Sequence, residues 1–158
     1  MAAQLQFPVR AARFCVLFQT SGVREVLPDF DLDADAVIAA CRDHTLAPAF
    51  DIGLGSRELI RILPSAVPFY AACGGARTRR LPLVEIFQEV LRGYGAGTDR
   101  LTGEQARKIL NCEGGHINAL VDDGELSAVP GTVRRLGPGG SDVITLASFK
   151  DFLKRRLL

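Results

Sequence analysis

A chain of 158 residues suffices for one ordinary domain or two very small ones. With 47% hydrophobic and 23% charged residues its composition is globular, which excludes an intrinsically disordered chain. The formal net charge of +1 supplies no global basic field, so any attraction to nucleic acid has to come from a local patch.

No apolar run approaches the roughly 18 residues that a membrane span requires, and no basic-then-apolar leader opens the sequence. The expectation is a soluble, cytoplasmic protein. Cys15, Cys41, Cys73 and Cys112 lie far apart without a CxxC pair, and only His44 and His116 could join them as ligands. They read as free thiols, with no metal and no cofactor.

Along the chain, Ala11 to Thr20, with Phe14, Val16 and Phe18, fits a helix or a strand equally well. Asp29, Asp31, Asp33 and Asp35 then crowd the start of a helix whose apolar face includes Cys41. Carboxylates at that position suit the helix dipole and can cap free amides. Gly74 to Arg80 is a loop, after which Pro82 opens a helix with an apolar stripe of Leu83, Ile86, Phe87, Val90 and Leu91. Gly93 and Gly95 stop it. The stripe has to be buried, either between two modules or in a homodimer or protein-partner contact.

From Leu101 the pattern sharpens. Thr102 caps a helix carrying Ala106, Ile109 and Leu110, and a break at Asn111 to Gly115 follows. A second helix places Ile117, Leu120 and Val121 on one face, and Gly124 ends it. Leu126 to Val129 and Val143 to Leu146 are short β-prone stretches around a Gly137-Pro-Gly-Gly140 tip. Ser148 is expected to cap a last helix, with Phe149, Phe152 and Leu153 inward and Lys150, Lys154, Arg155 and Arg156 outward.

The run Leu101-Thr-Gly-Glu-Gln-Ala, then Ile-Asn-Ala-Leu-Val-Asp-Asp-Gly-Glu-Leu-Ser-Ala-Val129, then Ile144-Thr-Leu-Ala-Ser-Phe-Lys-Asp-Phe-Leu153, resembles the excisionase/MerR-like family of winged helix-turn-helix DNA-binding domains. The resemblance covers about 58 residues. A degraded second copy precedes it. Val37 to Ala49 aligns with Ile117 to Val129 at a constant offset, Phe50 to Gly55 supplies a wing turn, Ile60-Arg-Ile62 echoes Ile144-Thr-Leu146, and Val67 to Tyr70 echoes the last helix. The resulting expectation is a mainly α fold with small β wings (α+β). Residues 1–73 form a divergent winged module, 74–97 a linker with an amphipathic helix, and 98–158 the excisionase-like module.

The resemblance implies that the start of the second helix of the pair reads double-stranded DNA in the major groove, with wing and flanks on phosphates. The outward positions there include Glu113, Gly115, His116 and Asn118, and Asn can pair bidentately with adenine. Arg134 and Arg135 fall on the wing. Arg107, Lys108 and the Lys154 to Arg156 run flank the helix pair; in the first copy the aspartates at the helix start would keep a DNA backbone away, which Arg57, Arg61, Arg77, Arg79 and Arg80 could offset locally. Where the family carries Ser, Thr or Arg, this chain has Glu113-Gly-Gly115, and the two glycines together cost roughly 1–2 kcal/mol of helix stability.

Nothing reads as catalytic. No carboxylate pair has a setting that would split its pKa values, and neither Gly53-Leu-Gly55 nor Gly137 to Gly140 has the strand, helix and lysine of a phosphate loop. Gln4-Leu-Gln-Phe7 loosely resembles the peptides that bind the bacterial sliding clamp. Two readings follow: a sequence-specific DNA-binding regulator or recombination directionality factor, or a winged-helix scaffold used for protein–protein contact, such as an antiactivator or phage-type inhibitor.

Overall fold

A computed structural model describes residues 14–26, 33–94, 98–134 and 140–158. Gln4 to Phe7, Asp29, Asp31, Arg135 and most of the Gly137 tip lie outside them. The described chain is mixed α/β, with seven helices and two small antiparallel sheets. In order these are β1 (Phe18–Gln19), α1 (Thr20–Val26), α2 (Ala34–Arg42), β2 (Ala49–Asp51), β3 (Ile60–Ile62) and α3 (Ala66–Cys73), then α4 (Leu83–Val90), β4 (Arg100–Thr102), α5 (Gly103–Leu110), α6 (Gly114–Asp122), β5 (Val143–Thr145) and α7 (Leu146–Arg156). Strand, two helices, strand and helix thus occur in this order on both sides of α4, with β2 as an additional strand in the first half where the second has only a bridge. No described helix is long and apolar enough to cross a membrane.

Local chemistry accounts for the helix ends. Asp33 Oδ1 accepts from Ala36 N at 2.7 Å and caps α2, while Asp35 sits in its first turn. Thr102 and Gln105 form a reciprocal capping box on α5, worth about 1 kcal/mol. Asn111 takes the left-handed conformation at φ 52° and ends α5. The last helix starts earlier than expected. Thr145 caps it by accepting from Ser148 N, and the Ser148 hydroxyl instead donates to Thr145 O and accepts from Ser127 N.

In the first sheet β3 is central, flanked antiparallel by β1 and β2, with Ile62 opposite both Phe18 and Ala49. In the second, β4 pairs with β5, placing Leu101 opposite Ile144. Leu126 to Val129, expected as a strand, contributes only a bridge from Ala128 to Ile144. The strand partner is β4, a three-residue segment that reads in the sequence as part of a helix cap. The two halves therefore correspond with Ile62 matched to Ile144, not Ile60 as the sequence alignment has it.

Two apolar clusters fill the interior. Val23, Val37, Cys41, Leu46, Ile60, Ile62, Val67 and Tyr70 form the smaller, within the first half. The larger joins Ile109, Leu110, Ile117, Leu120, Ile144, Phe149, Phe152 and Leu153 to Cys15, Leu17, Phe50, Ile52 and Leu63 from the first half. Ile86 and Val90 of α4 are buried in the same cluster, with Leu83, Phe87 and Leu91 against it. The stripe of α4 is thus covered by its own chain, leaving Val84, 61% exposed, on the outside. The two halves share one interior. Leu158 N donates to Ala49 O at 2.9 Å, beside a bridge from Leu157 to Phe50, so the end of α7 lies on the free edge of β2.

Candidate nucleic-acid interface

The apolar face of α6 fixes which of its side chains look outward. Ile117 and Leu120 are fully buried, which turns Glu113, Gly115, Asp122 and Asp123 to the outside and leaves His116 and Asn118 half-buried at the margins. Glu113 is the N-cap residue but makes no side-chain capping bond.

The two expected base readers are bonded inward. His116 Nε2 lies 2.6 Å from the carbonyl oxygen of Ile52 in the first half. A carbonyl only accepts, so Nε2 carries the proton. Asn118 Nδ2 donates to Gly140 O at 2.9 Å, and its Oδ1 is buried without a described hydrogen-bond partner.

The cations are similarly engaged. Arg134 donates to Asp142 Oδ2 at 2.7 Å and to Asp122 Oδ1 at 2.7 Å, bridging the hairpin to the end of α6. These bonds push the Arg134 pKa up, and the hydrogen bond from Arg134 holds the Asp122 carboxyl below its ordinary range. Asp142 is buried, so withdrawing Arg134 would strand its charge away from water. Arg107 grips Glu104 through two bonds of 2.6 and 2.8 Å, and Lys108 stands 3.8 Å from the same carboxylate. The bond from Arg107 lowers the Glu104 pKa. Arg155 and Arg156 both pair with Glu125.

Arg61 does not face outward at all. It is 8% exposed, and it crosses to the second half, where Nε donates to Leu110 O at 2.9 Å and Nη2 to Asn111 O at 3.0 Å. Asn111 returns a bond from Nδ2 to Leu17 O at 3.1 Å. The turn between α5 and α6 is thereby tied to the first half, and Arg61 acts as a distant cap on the last carbonyls of α5. Burial and the neighbouring Arg57 push the Arg61 pKa down. Sequence reasoning had no signal for this role, because the partners are about 50 residues away.

Arg57, Arg61, Arg107, Cys112, Glu113 and His116 line a cleft of about 560 Å³ between the β2–β3 loop and the α5–α6 turn. Burial pushes the Cys112 thiol up to about 11, despite the arginines beside it. Among the described residues no three His, Cys, Asp or Glu side chains gather as they would around a metal ion. No family model, curated protein or solved structure matches this chain.

Proposed function

We propose that this chain is a non-enzymatic binding protein made of two winged helix-turn-helix modules that share a core, and that its C-terminal module serves as a scaffold for protein contact and not as a reader of DNA. The module reading rests on the resemblance of residues 101–153 and on the repeated order of elements around α4. One observation carries the choice between the two uses: in the C-terminal module the expected base readers and the wing arginine Arg134 are already bonded within the protein. His116 serves Ile52, Asn118 serves Gly140, and Arg134 is held by two carboxylates.

Charge points the same way. The ends of α6 carry Glu113 and Asp123, unpaired among the described residues, Asp122 is matched by Arg134, and the helix itself has no lysine or arginine, which disfavours a phosphate backbone and suits a basic protein surface. Val133, 87% exposed on the hairpin beside Arg134, supplies an apolar contact point of the kind protein interfaces use.

Fluorescence anisotropy with labelled duplex fragments at low and moderate salt tests the choice. The expected result is no salt-dependent binding at micromolar protein. Binding that weakens steeply with salt and is lost in Arg134→Ala overturns it and restores a DNA-reading regulator or recombination factor.

A further inference from the structure

The cleft between the halves has a charge imbalance that the protein does not resolve. Its floor is β3, with Ile60 and Arg61, and Ile38 of α2. Arg57 to Leu59 form one wall, and Arg107, Asn111, Cys112, Glu113 and His116 form the other. Every hydrogen bond of Arg61 goes to a neutral carbonyl: Ile60 O, Leu110 O and Asn111 O. No carboxylate of the described residues lies within ion-pair distance of it.

A guanidinium has five N–H donors, and these bonds use Nε–H and one hydrogen on each terminal nitrogen. Buried charges are ordinarily neutralised by a counter-charge, and here none is supplied. Arg57, exposed on the loop above, makes no ion pair and no side-chain hydrogen bond among the described residues either. The carboxylates that could have served are engaged elsewhere: Glu58 with Arg42 and Glu104 with Arg107. Glu113 also lines the cleft, exposed on the wall opposite Arg57, and its repulsion of an anion places the charged end of a ligand on the Arg57 and Arg61 side. The two unneutralised cations face a volume within the range of small-molecule sites, roughly 300–1,000 Å³.

We propose that this cleft binds a small dianionic molecule, a phosphate monoester or a dicarboxylate, with its charged end against Arg57 and Arg61. The planar fork of arginine matches both groups bidentately. Gln19, Thr20 and His116 line the remainder, Gln19 and His116 each with one nitrogen already bonded to a backbone carbonyl and the other polar atom left for the uncharged part of a ligand. The ligand would touch the β2–β3 loop and the start of α6 at once, stiffening the junction that His116 and Ile52 already make. The site does not depend on whether α6 meets DNA or protein.

Isothermal titration calorimetry on the full chain, with NaCl holding ionic strength constant, tests the proposal with inorganic phosphate, glycerol 3-phosphate and succinate. Saturable one-site binding of at least one probe is expected, with a rise in Tm that NaCl alone does not give. Preference for the phosphates or for succinate identifies the class. Arg57→Ala, a change at an exposed side chain, is expected to weaken binding by about tenfold or more through loss of a charge-assisted contact. No saturable binding by any probe, or equal affinity in a folded Arg57→Ala protein, overturns the proposal.

Discussion

The two halves repeat one order of elements but close their hairpins by different chemistry. In the first, Asp51 Oδ1 accepts from Gly53 N at 2.9 Å and Leu59 N at 3.0 Å, so one carboxylate ties both sides of the β2–β3 loop through backbone amides. In the second, the stretch from Ser127 to Val143 is longer, and a side chain does the tying: Arg134 reaches across to Asp122 and Asp142. A short loop can be closed by local amide bonds. The longer one is paired at its base by backbone bonds, Val129 N to Val143 O at 2.7 Å and Thr145 N to Ser127 O at 3.0 Å, and opposite charges add a tie beyond them. Beyond their backbone pairs, one loop is therefore tied by hydrogen bonds to a single carboxylate and the other by salt-sensitive ion pairs.

The harshest way to break the comparison is through the glycines that each closure needs. A Cβ on Gly53 would sit 1.8 Å from the Arg57 carbonyl oxygen, and one on Gly103 would sit 2.1 Å from Ser141 Oγ. The first clash is with backbone, so Gly53→Ala is expected to cost about 3 kcal/mol or more. In Gly103→Ala the Ser141 hydroxyl can turn aside but Ser141 Cβ at 2.4 Å and the Asp142 carbonyl oxygen at 2.8 Å cannot, and the expected cost is about 2–3 kcal/mol. Urea melts rank the two; a larger loss from Gly103 would show the second closure to be the more rigid.

The anchors come next. Asp51→Ala leaves two amides without an acceptor and is expected to cost about 1–2 kcal/mol, nearly independent of salt. Arg134→Ala is expected to lower Tm by roughly 2–4 °C at low salt, with the gap from wild type narrowing toward 1 M NaCl as screening weakens the native pairs. Equal salt dependence of the two variants would erase the distinction.

The smallest effect is in acid. Glu104, Asp122 and Glu125 are held below their ordinary values of 4.5, 3.8 and 4.5, each first by a hydrogen bond from an arginine. A carboxyl lowered on folding contributes stability above its unfolded value, and that contribution disappears as pH falls through the folded one. All three lie in the second half. Thermal melts between pH 5 and 3 are expected to show a decline in Tm that Asp122→Asn with Glu125→Gln makes shallower. An unchanged slope would place the acid sensitivity elsewhere.

Much of the second half was legible because its signals are local. The Thr102 cap, the apolar positions of Ile117 and Leu120 and the break at Asn111 are each set within one or two turns of helix. Strand β4 was not, since Arg100 to Thr102 becomes a strand only by lying beside β5. The slip of the repeat from Ile60 to Ile62 has a definite cause. Moving a strand by two residues keeps the same side chains on the same face, so hydrophobic alternation cannot detect it. The candidate interface was legible as a set of residue types but not as a state of engagement. Arg134 meets Asp142 and Asp122 at separations of 8 and 12 residues, and Arg61 meets Asn111 at 50. Neither distance leaves a trace in periodicity.

The bonds converging on Asn111 bear on how the protein comes apart. Leu17, Gln19 and Arg61 all reach this one turn, and Phe50 and Ile52 sit in the same interior as Phe149 and Phe152. Cutting the chain at α4 would uncover that interior on both sides and strip α5 of its distant cap. Neither fragment would inherit a finished surface, so the polypeptide is expected to unfold as a single cooperative unit, whatever its repeated layout suggests about where it could be divided.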